Sequence, residues 1–162
     1  MIPFISFVGR SGSGKTTLIV KLVKYLSQRG YKIGTIKHTH HNVDFDKEGK
    51  DSYRHFQAGA ASSMVISPEK IGFVSKVVIE DPFILVEKFF SHCDLVIIEG
   101  FKNDVTKKIE VYRSTLNEKP LYKTLKNVLA LATDTKFTDI ACLNINNVEE
   151  VALFVLKEFG LK

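Results

Sequence analysis

Gly9-Arg10-Ser11-Gly12-Ser13-Gly14-Lys15-Thr16-Thr17 is a full match to the phosphate-binding pattern G-x-x-x-x-G-K-[ST]. Its surroundings fit the pattern too. Residues 2–8, apolar apart from Ser6, read as a buried β-strand. From Lys15 to about Arg29, Leu18, Ile19, Leu22, Val23 and Leu26 recur at helical spacing. Three glycines let the backbone curl so that its N–H groups converge on an anion, and the helix N-terminus adds partial positive charge. In such a loop the amides of Gly9, Arg10, Ser11, Gly12, Ser13, Gly14 and Thr17 cradle phosphate. Lys15 reaches the outer phosphate oxygens, and the Thr16 hydroxyl takes a position on Mg²⁺.

The chain then reads outward as alternating strands and helices. Gly30 stands where a left-handed helix cap belongs, and residues 32–38 read as a second strand, completing a βαβ unit. A long polar stretch, residues 38–52, follows at the position where loops line the ligand crevice of an open α/β sheet. Residues 52–58 read as a short helix closed by Gly59. Residues 62–67 and 71–79 read as a hairpin around Pro68. Asp81-Pro82 opens a helix that ends near His92, with Phe83, Val86, Phe89 and Phe90 expected on its core side. Residues 95–98 are apolar throughout, as befits a strand buried on both faces. Residues 109–113, 128–132 and 140–145 supply further strands. Asn147 with Glu150 resembles a capping box before a final helix carrying Val148, Val151, Val155 and Phe159. The expected fold is a three-layer α/β sandwich of the P-loop NTPase type. It has a mixed, mostly parallel sheet, helices on both faces, an antiparallel hairpin extension, and a single domain over residues 1–162.

The bulk numbers agree with one soluble domain. The 162 residues are 44% hydrophobic and 25% charged, with a net charge of +5. The basic residues are dispersed, so the charge favours phosphate ligands over nucleic acid. Cys93 and Cys142 are isolated, which fits a reducing compartment. No apolar run approaches the roughly 20 residues of a membrane span, and residues 2–8 lack the flanks of a signal peptide. The expectation is a cytoplasmic protein without membrane attachment.

Outside the loop, Glu99 is the strongest candidate. An acid directly after four apolar strand residues lies at the carboxyl edge of the sheet. If that strand neighbours the first, Glu99 faces the loop and orients Mg²⁺. Asp94, at the opposite end of the strand, is on the wrong edge. One acid among Asp44, Asp46 and Asp51 is expected to orient Mg²⁺ or the attacking water. Asp51 is preferred, because as a helix N-cap it would be held near the sheet edge. Lys37 and Lys102 lie at or just past strand ends, placed for an anion. Asp134 follows an apolar strand and could read guanine N1 and N2, although the N-K-x-D signature is absent. His38, His40 and His41 are candidates for zinc or nickel, and equally for phosphate hydrogen bonding.

Four segments together resemble one family. They are residues 9–18, Gly34-Thr35-Ile36-Lys37-His38 with His40-His41, Gly49-Lys50-Asp51-Ser52 with Ala58-Gly59-Ala60, and residues 94–102 ending Glu99-Gly100-Phe101-Lys102. They are similar to the molybdopterin-guanine dinucleotide biosynthesis adapter (MobB) family over residues 1–113, and more loosely to the end. The resemblance implies GTP and Mg²⁺ binding on a P-loop fold of the class shared with nickel-chaperone GTPases. It also implies weak GTPase activity, a homodimer, and a partnership with the guanylyltransferase that attaches GMP to molybdopterin, with molybdopterin itself a further possible contact. Arg10 falls where relatives in the wider class carry a second loop lysine that reaches across a dimer. Hydrolysis should be slow, since no arginine finger in cis and no water-positioning Gln is visible in the sequence. The alternatives are a small-molecule P-loop kinase and a metal-delivery GTPase using His38, His40 and His41. The three later arginines, Arg29, Arg54 and Arg113, do not cluster along the sequence as a kinase lid would require.

Overall fold

A computed structural model describes residues 1–162. The chain divides into two compact units, residues 1–38 with 83–162, and residues 39–82.

The larger unit is built on a six-stranded sheet in the order β2-β5-β1-β6-β7-β8, with every pairing parallel. The strands are β1 (Phe4–Val8), β2 (Ile33–Lys37), β5 (Leu95–Glu99), β6 (Lys108–Tyr112), β7 (Val128–Thr133) and β8 (Ala141–Asn144). Side chains alternate across a strand, so each apolar run feeds two cores. Ile5, Phe7, Leu95 and Ile97 join Leu18, Leu22 and Leu26 of α1 (Lys15–Ser27) and Val151 and Val155 of α4 (Val148–Glu158) in one cluster. On the other face Phe4, Val96 and Ile98 meet Val86 of α3 (Pro82–Phe89). Helices therefore cover both faces, and the three layers expected of the P-loop fold are present. Each fully buried Leu, Ile or Val stabilises by about 1.5–3 kcal/mol relative to exposure. The α4 start is capped as its sequence suggests: the Asn147 side chain accepts the Glu150 N–H at 3.2 Å. No helix is long and apolar enough to cross a membrane.

The smaller unit contains α2 (Asp51–Gln57) and an antiparallel pair, β3 (Ser62–Ile66) with β4 (Ile71–Ser75). The antiparallel strands thus form their own two-stranded sheet rather than an edge of the parallel one.

Several local expectations shift. The hairpin's second strand ends at Ser75, and Val77 and Val78 beyond it are exposed. Of the apolar residues assigned to α3's core face, Val86 is buried, whereas Phe83 and Phe89 are more than a third exposed. Phe83 meets Phe4 edge-on at 4.9 Å. Asp51 is the first helical residue of α2 and Lys50 occupies the cap position, so Asp51 is not the N-cap. A cap needs extended backbone, and it is Lys50 that has it (φ −78°, ψ 156°).

One buried charge was not legible in the sequence. Lys108 is fully buried, and its ammonium donates to Asp104 O at 2.7 Å, Thr106 O at 2.8 Å and Asp104 Oδ1 at 3.2 Å. Asp104 also accepts from the Thr106 amide and hydroxyl. Removing one partner of a buried pair leaves an uncompensated charge. Asp104→Ala should therefore lower unfolding stability by about 3 kcal/mol. Urea unfolding would show this as a lower midpoint at unchanged slope.

Candidate functional site

The site begins where β1 runs into α1. Gly9 has φ +145°, and a methyl carbon built on it would lie 2.4 Å from the Val111 carbonyl oxygen of β6. A side chain here would collide with backbone, so glycine is required for the loop to pass β6 this closely. Gly14, φ +92°, is the cap residue of α1 and offers no side-chain cap, so the first-turn amides of the helix remain available to an anion. Ser13 is almost wholly buried, and its Oγ has no hydrogen-bond partner.

Lys15 folds back over this curl. Its Nζ donates to Arg10 O at 2.7 Å and Gly9 O at 3.2 Å. Burial holds the Lys15 ammonium below the usual lysine range. Glu99 raises it, and the positive charges of Lys102 and Lys37 lower it further. These carbonyl contacts are ones that a phosphate oxygen, as a charged acceptor, would compete for effectively.

Glu99 stands where its strand position places it. β5 is hydrogen-bonded to β1 with Glu99 opposite Phe7, and to β2 with Glu99 opposite Lys37. The Thr16 hydroxyl donates to the Glu99 carboxylate, 3.0 Å from each oxygen. Lys37 Nζ lies 3.6 Å from Glu99 Oε1. The hydroxyl and carboxylate together make a hard-oxygen donor pair beside a phosphate loop, the chemistry that suits Mg²⁺ with water completing the shell. A cleft of about 340 Å³ opens beside them, lined by Thr16, Thr35, Lys37 and Glu99 at its polar end and by Ile19 and Val20 on α1.

The turn after β5 is fixed by its own stereochemistry. Gly100 has φ +111°, and an added carbon would sit 3.0 Å from the His38 carbonyl oxygen. The His38 amide donates to Glu99 O at 2.9 Å, and the His38 ring stacks on Phe101 at 4.2 Å. No group of three or more His, Cys, Asp or Glu side chains is placed to hold a metal ion. The amide bond and the ring contact of His38 join the ends of β2 and β5.

The remaining candidates are distributed as follows. Arg10 Nη1 is paired with Glu118 at 2.6 Å, and its Nε donates to Lys119 O at 3.4 Å, which ties the loop to the segment after β6. Asp134 Oδ1 accepts the Ser114 amide at 2.9 Å. Asp94 accepts the Lys32 amide at 2.7 Å at the far edge, a structural contact. Asp44, Asp46 and Asp51 belong to the smaller unit. There Asp46 accepts from Ser52 Oγ and the Lys47 amide, while Asp51 is largely exposed and 3.9 Å from Arg54.

Two residues beside the loop are not marked by any local sequence pattern. Glu110, buried in β6, accepts the Leu121 and Tyr122 amides at 2.7 and 2.8 Å and pins the segment that Arg10 also holds. Burial pushes its carboxyl up, against the pull of those two amides. Arg113, the residue just after β6, has its guanidinium against the loop: a carbon built on Gly14 would lie 3.4 Å from Arg113 Nε. Both depend on β6 lying next to β1, which no local pattern encodes.

A parallel sheet with this loop between β1 and α1 defines the P-loop NTPase class. Comparison with known proteins is consistent and narrower. The family model described as "MobB: Molybdopterin guanine dinucleotide synthesis protein B" matches residues 4–134, and the chain belongs to that family. The Molybdopterin-guanine dinucleotide biosynthesis adapter protein of Escherichia coli (strain K12) is 39% identical over 163 residues, covering 97% of this chain and 93% of that one. The protein of the same name from Haemophilus influenzae is 36% identical over 157 residues, covering 95% and 88%. Among solved structures, a molybdopterin-guanine biosynthesis protein B (mobB) superposes with a TM-score of 0.76 at 27% identity, over 97% of this chain and 99% of that chain. Bacillus subtilis MobB gives 0.77 at 25% identity, over 99% of each.

Proposed function

We propose that this protein binds GTP with Mg²⁺ and serves as a cytoplasmic adapter in molybdopterin guanine dinucleotide biosynthesis, assisting the guanylyltransferase that joins GMP to molybdopterin. The observation that carries the nucleotide half of this reading is the Thr16–Glu99 contact beside an uncapped, glycine-framed helix start. The pathway half rests on family membership and on the adapter proteins the chain resembles across nearly its whole length.

In this reading the loop amides and Lys15 bind the phosphates. Thr16 and Glu99 would hold Mg²⁺, whose role when bound is to neutralise charge on the outer phosphates. Lys37 and Lys102 raise the local positive potential. Hydrolysis is slow, so the nucleotide acts mainly as a structural ligand. A homodimer fits the apolar surface of the hairpin, where Met64, Ile66, Ile71 and Phe73 are each close to half exposed or more.

Ligand at about 100-fold over its dissociation constant adds roughly 2.7 kcal/mol of stability. In a thermal-shift titration GTP with Mg²⁺ should give a stabilisation of that order, ATP far less, and Lys15→Ala none despite an intact fold. Stabilisation by ATP alone would contradict the guanine reading. Light scattering should return about twice the 18.3 kDa chain mass, and a value at 18.3 kDa would remove the dimer.

A further inference from the structure

Four arginines occur in the chain, and three of them face an acid. Arg10 pairs with Glu118 at 2.6 Å, Arg29 lies 3.9 Å from Glu149 and over the Tyr25 ring, and Arg54 lies 3.9 Å from Asp51. Arg113 is the exception: its guanidinium has neither a hydrogen-bond nor an ion-pair partner in the protein. It is half-buried rather than waving in solvent. Its Nε and Nη2 lie 3.4 and 3.8 Å from the point a carbon on Gly14 would occupy. A half-buried cation set against a loop that already carries Lys15 is unfavourable until an anion compensates both.

The backbone around Arg113 is anchored, so this placement is not incidental. The next residue, Ser114, donates its amide to Asp134, and the Leu116 amide closes a turn on Arg113 O at 3.2 Å. Leu116 packs 3.8 Å from the position of a carbon on Gly12. Arg113 and the short 3-10 turn Ser114–Leu116 that follows it therefore lean on the loop at Gly14 and Gly12 respectively. The sheet order fixes the direction of approach. β5 and β6 flank β1 on opposite sides, so Glu99 meets the loop from one side and Arg113 from the other.

We propose that Arg113 contacts the diphosphate portion shared by GDP and GTP, donating from its planar fork to phosphate oxygens on the flank away from the Thr16–Glu99 pair. This rests on the nucleotide-binding reading above and adds to it a residue and a side of approach. It also assigns Arg113 to ground-state binding and not to the transferring phosphate.

Calorimetric titration of the full chain with GTP and with GDP, each with Mg²⁺, tests the assignment in Arg113→Gln and Arg113→Lys. A charge-assisted contact is large enough that Arg113→Gln should weaken both nucleotides by the same factor, about tenfold or more. Arg113→Lys, which keeps charge without the fork, should lose less. The melting temperature without nucleotide should not fall in either variant, since the uncompensated cation contributes nothing to the nucleotide-free fold. Raising ionic strength should weaken wild type more than Arg113→Gln, a response that packing alone would not produce. Wild-type affinity for both nucleotides in Arg113→Gln overturns the proposal. So does a loss confined to GTP. Should the wild-type chain itself bind neither nucleotide, the GTP reading falls first and this inference with it.

Discussion

The hydrogen bond from Thr16 to Glu99 joins two residues 83 positions apart, and the architecture of the larger unit is what allows it. Thr16 is fixed by the loop at the end of β1, while Glu99 is fixed by β5 emerging beside that strand. Neither side chain has freedom to meet the other without strand adjacency. The sheet core accordingly does more than stabilise. Ile5, Phe7, Leu95 and Ile97 hold two strand ends in register to within a hydrogen bond, and the polar chemistry sits immediately above them. A carboxylate sharing a threonine hydroxyl at 3.0 Å is worth little as a stabilising contact at a half-open edge. Its position beside a phosphate loop is what gives it meaning.

Electrostatics sharpen the point. Lys15 and Lys37 both feel the Glu99 carboxylate, Lys102 adds a like charge near Lys15, and the burial of Lys15 lowers its affinity for a proton. The sign is informative. A lysine whose folded-state range is depressed carries a penalty at neutral pH, and that penalty is relieved as pH rises toward the ordinary lysine value. A bound anion relieves the same penalty without any change of pH. On the far flank the loop is braced by the segment after β6, which is held by Arg10 through Glu118 and by Glu110 through two amides. Buried carboxylates that accept backbone amides fix loop geometry, and here they fix the loop that carries Lys119 and Tyr122 past Arg10.

Much of this could be read from residues alone, for identifiable reasons. The loop is a local motif, and its strand and helix flanks obey the two periodicities that sequence displays openly. Glu99 was legible because four apolar residues in a row announce a strand buried on both faces, and its last residue must then sit at an edge. The Asn147 cap is likewise a local device. Arg113 and Glu110 were not legible, because their significance comes from β6 lying next to β1, and strand order is a long-range property. Asp51 shows a different failure. Asp is favoured at helix starts over several positions, so composition could not separate the cap from the first turn. Phe83 and Phe89 show a third, since aromatic spacing marks an apolar face but not what covers it. Family resemblance reached further than spacing did, because the I-K-H-x-H-H and E-G-F-K segments encode the joined ends of β2 and β5 together.

The central claim is that a triphosphate and a magnesium ion are held as one unit between the loop and Glu99. Titrating GTP into wild-type and Glu99→Gln protein, with Mg²⁺ and with EDTA, measures that linkage directly. The account predicts tighter GTP binding with Mg²⁺ in the wild type, and a Glu99→Gln variant that still binds GTP but loses most of the Mg²⁺-dependent gain. Equal affinities with and without the metal in wild-type protein, or an undiminished gain in Glu99→Gln, would contradict it.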